Sequence, residues 1–470
     1  MGNPLALMML AAWPVAAAIL FSRLGYLQAV IWTILAGYLL MPPVVGIDPP
    51  LLPELNKNAI AALAATAGAL ILRQQSPLPW QRPEGWVIAL MVLSVLTPMA
   101  TVVTNPEALV EGITYRPGLS IFDGINGMIG AMLELLPFLL GYMILSSVEG
   151  VRAWMGALVL AGLAYSLPMM LEIRLSPQLN VWIYGFFAHD FSQSIRYGGY
   201  RPMVFLEHGL WVALFATMAA LSATVTLRET PRGSGPARVR AWAAMLYLLA
   251  VLFLCKSVAS MLYALLMVPL ILMAPTLWQM RLAGGLAAAA LIYPLLLWLG
   301  LFPVDLFKDA AMAVDAERGR SLEFRFNNEA LLLDRASQKP LAGWGGWGRN
   351  LEVDPISGEY TSVSDGHWIV VMSISGIMGY VAAFGLLCGS VLRLWIASRG
   401  RVLDRWTAGL ALIMAANLVD LIPNATVTPL TWLSAGALAG LAARGVTADA
   451  AAPATTTAPQ PRGRLRTVIG

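Results

Sequence analysis

Residues 367–395 read HWIVVMSISGIMGYVAAFGLLCGSVLRLW. The stretch holds no acid, and its only basic residues, His367 and Arg393, stand near its ends. A helix needs about 20 apolar residues to cross the hydrocarbon of a bilayer. This stretch is therefore predicted to be one span, with His367 at its outer mouth. The rest of the chain repeats the pattern. Of 470 residues, 58% are apolar and only 12% charged, against about 25% charged in an ordinary soluble domain. That excludes a soluble enzyme and a disordered chain. A β-barrel needs alternating segments of about 10 residues, and these runs are longer and continuously apolar.

Working outward, apolar runs cover 5–22, 26–46, 58–73, 86–104, 125–147, 152–171, 204–227, 241–256, 258–277, 282–303, 367–395, 406–424 and 428–444. They predict an all-α polytopic membrane protein with about 12–13 transmembrane helices; the short third run and the tight pair at 241–277 set the lower figure. Residues 1–303 hold the first ten spans and an outer loop at 172–203. Residues 304–366 form a large, partly helical outer loop near the C-terminus. Residues 367–444 return to spans. Residues 445–470 are low in complexity and read as a disordered cytoplasmic tail. No Lys/Arg-rich segment with a cleavage site precedes the first run, so no removable signal peptide is expected.

Lys and Arg set the orientation. Arg23, Arg73, Arg82, Arg152, the group from Arg228 to Arg240, Arg281, the group from Arg393 to Arg405 and the tail arginines lie in short segments poor in acids. Those segments belong in the cytoplasm. The opposite short loops hold Lys57, Arg116 and Lys256, and the remaining bases fall in the two long loops, where acids accompany most of them. An odd number of spans with a cytoplasmic tail puts the N-terminus outside. The net charge of +4 mostly reflects loop arginines and does not indicate nucleic-acid binding. Cys255 and Cys388 both sit in apolar runs, which gives no disulfide framework and no thiolate metal cluster.

The long outer loops concentrate the chemistry. All three histidines, His189, His208 and His367, lie in or beside them. Arg174, Arg196 and Arg201 are in the first loop, and Arg318, Arg320, Arg325, Arg335 and Arg349 in the second. Guanidinium groups keep their charge and match phosphate oxygens bidentately, so the cluster suits a phosphate. The plain alternative pairs these arginines with Asp309, Asp315, Glu317, Glu323, Glu329 and Asp334 on a wetted surface. Residues 316–338 read as a helix with Arg318, Leu322, Arg325 and Glu329 on one face; Arg325 and Glu329 could simply pair along it.

Pro340 then stops the helix, and KPLAGWGGWGRN at 339–350 permits a tight turn. Trp344 or Trp347 could stack on a sugar ring, or belong to an interfacial aromatic belt. His367 could take a proton from a hydroxyl, or be a hydrogen-bonded structural residue. Charged groups at membrane depth usually face a cavity. By that rule Arg201, Glu207, His208, Glu134, Lys256 and Asp420 are candidates, although Glu134 and Asp420 would serve equally as buried partners of Lys256 or an arginine.

These stretches resemble the O-antigen ligase and polymerase superfamily, membrane glycosyltransferases of the GT-C class. The resemblance lies in Tyr-Arg201-Pro-Met-Val-Phe-Leu-Glu-His208-Gly, in Cys-Lys256-Ser-Val-Ala-Ser, in the Arg-containing helix leading through Lys-Pro-Leu-Ala-Gly-Trp-Gly, and in the re-entry into the membrane at His367. It covers roughly residues 195–395. Trp368 stands where the family has Asn, and Val258 where it often has Arg, which shifts phosphate charge onto Lys256. The wording Arg325-Phe-Asn-Asn-Glu-Ala-Leu-Leu-Leu is closer to exopolysaccharide polymerases.

The resemblance implies a bacterial inner-membrane polysaccharide polymerase with a periplasmic active site and undecaprenyl-diphosphate-linked oligosaccharide as donor. Arg201 and Arg325 would stabilise the departing diphosphate, helped by Lys256 or Arg349, and His367 would orient or deprotonate the acceptor hydroxyl. Arg196, His208, Trp344 and Trp347 would contact substrate. Transfer would be inverting and metal-independent, with no cofactor; membrane lipid and other polysaccharide assembly proteins would be its partners. Rival readings are a ligase moving glycan to lipid A core, a lipid-linked glycan transporter, and a non-catalytic scaffold. No repeat between halves supports transport.

Overall fold

Among the described residues, the thirteen apolar runs fold as thirteen helices, and the loops add three more. The computed structural model describes residues 2–50, 52–363, 365–401 and 403–445. The tail expected to be disordered, from 446 onward, lies outside the described residues, as does the side chain of Arg318. In chain order the first half holds α1 (Pro4–Arg23), α2 (Tyr26–Leu40), α3 (Lys57–Ile71), α4 (Gly85–Val103), α5 (Ile121–Ile144), α6 (Val148–Leu175) and α7 (Leu179–Tyr184). Next come α8 (Gly209–Glu229), α9 (Gly235–Leu254), α10 (Val258–Met273), α11 (Thr276–Trp298), α12 (Val304–Val314) and α13 (Ala316–Ser337). The last are α14 (His367–Ala397), α15 (Arg405–Asp420) and α16 (Pro429–Ala443). Small antiparallel hairpins pair β1 (Gly46–Ile47) with β2 (Leu55–Asn56), β3 (Leu109–Glu111) with β4 (Thr114–Arg116), and β5 (Ile195–Arg196) with β6 (Gly199–Tyr200).

Among the described residues, eight helices are long and apolar enough to cross a membrane: α1, α4, α5, α6, α8, α9, α11 and α14. The chain is a helical, multi-pass membrane protein. The other five apolar helices have only 15 or 16 residues. They reach about 23 Å, against a hydrocarbon thickness of about 30 Å. Thirteen helices thus stand where thirteen spans are predicted, but five fall short of full spanning length.

Caps move the boundaries. Ser120 and Asp123 form a reciprocal capping box, so α5 starts at Ile121 rather than at 125. The seventh apolar run begins at 204, yet α8 starts at Gly209, because the His208 side chain accepts the Leu210 N–H and caps it.

Side-chain contacts sort the helix ends into two faces. On one, Arg444 bonds Ser146 and the Pro79 carbonyl, Arg393 pairs with Glu84, and Arg405 pairs with Glu229. On the other, Lys57 donates to the Phe205 carbonyl, Tyr184 to Leu40, and Lys339 to Thr104. These are the two sets into which Lys and Arg divide the loops, here termed the arginine face and the loop face. The core runs through α8, which is buried almost all round, and through α16, which packs closely on α5. Gly436 and Gly440 of α16 approach the Phe138 and Tyr142 carbonyls, and Gly141 of α5 approaches Leu433. Small residues four apart let two backbones touch where no hydrophobic effect drives helices together.

α14 is not one straight span. At Gly376 the backbone turns to φ 61° and ψ −163°. The His367 and Phe384 rings then lie 5.8 Å apart, whereas 17 residues of continuous helix would separate them by about 25 Å. The segment before Gly376 folds back along the segment after it. Residues 340–345 thread the break. Trp344 and Gly345 N–H groups donate to the Ser373 and Ile374 carbonyls, and the Pro340 and Leu341 carbonyls accept from Ile377 and Met378. His367 therefore does not stand at the outer mouth. It lies about 13 Å along the helix from the break, with its N–H on the Leu421 and Asn424 carbonyls of the α15–α16 turn.

The break leaves no room for a Cβ at Gly376 or at Gly343, both at positive φ. One added at Gly376 would collide with the Leu341 backbone, and one at Gly343 with the Ile374 backbone. Gly376→Ala and Gly343→Ala are each expected to destabilise the purified protein by about 1–3 kcal/mol. Gly346→Ala, where a Cβ meets open space, is expected to leave it near wild type. Thermal unfolding in detergent reads all three, and equal melting of G376A and G346A would show that the break tolerates a side chain.

Candidate functional site

The loop before α8 is built to present Arg201. Tyr197 and Gly198, at φ 48° and 66°, form the two-residue turn of the β5–β6 hairpin, the geometry whose twist matches its strands. The hairpin continues one step further, with Arg201 N–H on the Ser194 carbonyl at 2.8 Å. Buried Glu172, near the end of α6, then fixes the segment leading into α8. Its carboxylate accepts N–H bonds from Leu179, Met203 and Val204 at 3.0, 2.8 and 2.7 Å. Three such bonds hold the chain in a sharp bend, with Val204 at φ 52°.

Arg201 is 3% exposed, and its Nε has no hydrogen-bond partner among the described residues. It lies against Gly209 at the first turn of α8, where a Cβ would stand 2.9 Å from that Nε. A helix N-terminus is itself the positive end of a dipole, so this is an electropositive place for a cation. Two further cations join it. Arg196 lies close enough to disfavour the Arg201 charge, and burial disfavours it more. Lys256 Nζ donates to the Arg196 carbonyl at 2.9 Å, crossing the hairpin where Gly199 has no side chain to block it. Lys256 itself adopts φ 53°, a left-handed conformation that costs a non-glycine residue energy and concentrates at functional sites. Within the described residues, none of Arg196, Arg201 and Lys256 forms an ion pair with an acid.

His208 completes this group. Its Nδ1 accepts from Leu210, which leaves Nε2–H to donate to Gln193 Oε1 at 3.0 Å. The His189 ring stands 5.0 Å away. Burial first, then Arg201, His189 and Arg196, push the His208 pKa down to about 4, so the ring is neutral at physiological pH. The structure thus brings Arg196, Arg201, Lys256 and His208 together.

A second polar group gathers around Arg325 on α13. Arg325 points toward the Pro423 carbonyl at 3.5 Å, beside Asp420, whose carboxylate accepts from Thr426, Tyr263 and Asn424. The pairing of Arg325 with Glu329 along the helix is not made at ion-pair distance; Glu329 instead accepts from Tyr293 Oη at 3.0 Å. Burial raises Glu329 to about 7, against the Tyr293 bond and nearby Arg325, which lower it. The His367 ring, within the same region, makes no hydrogen bond among the described residues. Helix α10 links the two groups. Lys256 precedes it and Tyr263 lies seven residues on, about 10 Å along the axis.

Other expected site residues have internal partners. Arg349 donates to the carbonyls of Trp344, Pro117 and Glu107. Trp344 is 8% exposed, with its indole N–H on the Arg335 carbonyl and the Arg335 guanidinium 3.9 Å over its ring. Trp347 is 76% exposed, at φ 59°, and stands apart from both groups beside Asp123. Lys256 bonds a carbonyl rather than Glu134 or Asp420, and Glu134 accepts from Trp432. Sequence reasoning passes over Glu172, Gln193 and Tyr293. The partners of Glu172 lie up to 32 residues away, and only its apolar setting on α6 marks it out.

No model of a known protein family matches the chain, and no curated protein matches it either.

This geometry has two expected outcomes. Each hydrogen bond to a charged group is worth about 1.5–3 kcal/mol, so Glu172→Ala is expected to speed amide exchange at Leu179, Met203 and Val204 by at least about tenfold, while mid-α8 amides stay protected. Uniform acceleration would mean that Glu172 holds the bundle rather than the loop. Glu329 is favoured protonated in the folded state, so its contribution is fully present below about 4.5 and is lost as pH rises through about 7. The expected loss by pH 8 is on the order of 3 kcal/mol. Glu329→Gln should level that decline in a melting series from pH 5 to 8, and an unchanged slope would contradict it.

Proposed function

We propose that this protein is a bacterial inner-membrane polysaccharide polymerase that uses a polyprenyl-diphosphate-linked glycan as donor. The observation that carries this reading is Arg201: a buried guanidinium with an unpartnered N–H, flanked by Arg196 and Lys256 with no acid paired to them among the described residues, at the N-terminus of α8. Such a place favours an anion. A diphosphate supplies oxygens for every free donor, and helix N-termini favour it further. The motifs around Arg201, Lys256 and His367 that resemble the O-antigen ligase and polymerase superfamily support the same substrate. So does an apolar cleft of about 320 Å³ between α9 and α10, lined by Leu252, Phe253 and Leu265 among others. It lies directly beneath Lys256 and suits the isoprenoid tail.

In this reading about 12–13 helices cross the membrane, the loop face lies in the periplasm, and the arginine face lies in the cytoplasm, as the basic-residue bias requires. The acceptor hydroxyl oxygen attacks the anomeric carbon from the side opposite the diphosphate, and the carbon–oxygen bond to phosphate breaks with inversion. The hydroxyl proton passes to His367, whose imidazole has no competing hydrogen bond among the described residues. Charge growing on the leaving diphosphate is stabilised by Arg201, Arg196 and Lys256, which are already in place, with Arg325 on the approach from α13. Arg349 acts through structure, by holding the 339–350 segment to the β3–β4 region.

The test is transfer by purified protein from a polyprenyl-diphosphate oligosaccharide. Arg201→Ala and Arg325→Ala are each expected to lower kcat by about 100- to 1,000-fold, as for removal of one preorganised donor, and His367→Ala by about 100-fold or more. Wild-type yield from an inserted Arg201→Ala protein would remove the reading. Product length separates a polymerase from a ligase that moves glycan to lipid A core, because only the first lengthens the lipid-linked chain.

A further inference from the structure

We propose that the arginine face carries a binding site for the headgroup of an anionic phospholipid, at the ends of α8, α9 and α10. A cavity of about 510 Å³ there is lined by Arg228, Arg232, Arg238 and Arg405. The one acid in its lining is Glu229, which Arg405 pairs with at 3.0 Å. The other arginines keep most of their donors free. Arg228 bonds the Ile271 and Ala274 carbonyls through Nη1 alone, and Arg238 bonds the Thr230 carbonyl through Nη1 alone. Arg232 is exposed, with no partner among the described residues. A guanidinium has five N–H donors, so several remain to meet phosphate oxygens.

The walls select a lipid over a free phosphate. Trp242, Leu272 and Met273 line the same cavity, and Met273 is 83% exposed. The exposed apolar surface then continues along α9 through Val239 and Leu246. Both α9 and α10 pack mainly on α8 and little on each other, so an acyl chain lies against them below the headgroup. Basic pockets between membrane helices, with apolar surface leading away, suit such lipids. The site lies at the opposite end of the bundle from Arg201 and does not depend on glycan transfer.

Native mass spectrometry of the detergent-purified protein, with phosphatidylglycerol or phosphatidylcholine of equal chain length, tests the proposal. Phosphatidylglycerol should be retained at least about tenfold better, and Arg232→Gln should weaken it about fivefold, as for one interfacial arginine. Arg232 has no partner among the described residues, so this variant keeps its structure; adding Arg238→Gln should bring retention to the phosphatidylcholine level. Arg281→Gln, on the same face but outside the cavity, should change nothing. Equal retention of the two lipids, or equal loss with Arg281→Gln, overturns the site. Displacement of phosphatidylglycerol by millimolar inorganic phosphate overturns the lipid assignment.

Discussion

Backbone that leaves the helix inside a membrane must find its hydrogen bonds within the protein, since no water is there to supply them. The break at Gly376 is built on that constraint. The 340–345 segment makes four backbone hydrogen bonds to α14 across the break, two to carbonyls before Gly376 and two from N–H groups after it. The same rule governs the other interior ends. His367 N–H is satisfied by Leu421 and Asn424, and Asp420 gathers Tyr263, Asn424 and Thr426.

Arginine shows how partners decide role. Arg349 gives its donors to three carbonyls and ties the 339–350 segment to residues 107 and 117. Arg335 bridges to Glu111 at 2.8 Å and covers Trp344. Both are structural in everything they touch. Arg335 also keeps an unpartnered buried Nε, but Glu111 stands beside it; Arg201, as buried as Arg349, keeps its unpartnered Nε beside two other cations and pairs with no acid among the described residues. An unmet buried donor costs about 1–3 kcal/mol, and the fold holds it there by the three bonds that Glu172 makes to the same loop. What sets Arg201 apart is the missing acid, and a group of cations without one suits an anion.

Much of the architecture was legible because hydrophobic length is a local property. Each apolar run became a helix, and Arg393, Arg405 and Arg444 fell on one face as their acid-poor loops implied. The fold-back of α14 was not legible. HWIVVMSIS and IMGYVAAFG are equally apolar on either side of Gly376, and hydropathy does not register one residue's φ. The segment that bonds across the break begins more than 30 residues earlier. Roles within the glycine-tryptophan segment were hidden for the same reason. Gly343 serves close approach to the Ile374 backbone, far along the chain, while Trp344 serves Arg335, nine residues back. The cationic group around Arg201 was partly legible, since Arg196, Arg201 and His208 are near in sequence. Lys256 joins it through a left-handed turn that no local pattern marks.

The spacing of the two polar groups bears on what a shared substrate would look like. Lys256 and Tyr263 mark them along α10, about 10 Å apart. Arg201, Arg196 and Lys256 carry positive charge with no acid paired to it among the described residues; Glu329 and Asp420 give the other group carboxylates, with Arg325 between. One end therefore suits a strongly anionic group, and the other suits neutral hydroxyls that donate to carboxylates and accept from Arg325. The lipid-linked glycan proposed above has both features, with its diphosphate standing between the sugar hydroxyls and the hydrocarbon tail. The two groups thus differ in charge along one helix, and the proposed substrate differs in the same sense along its own length.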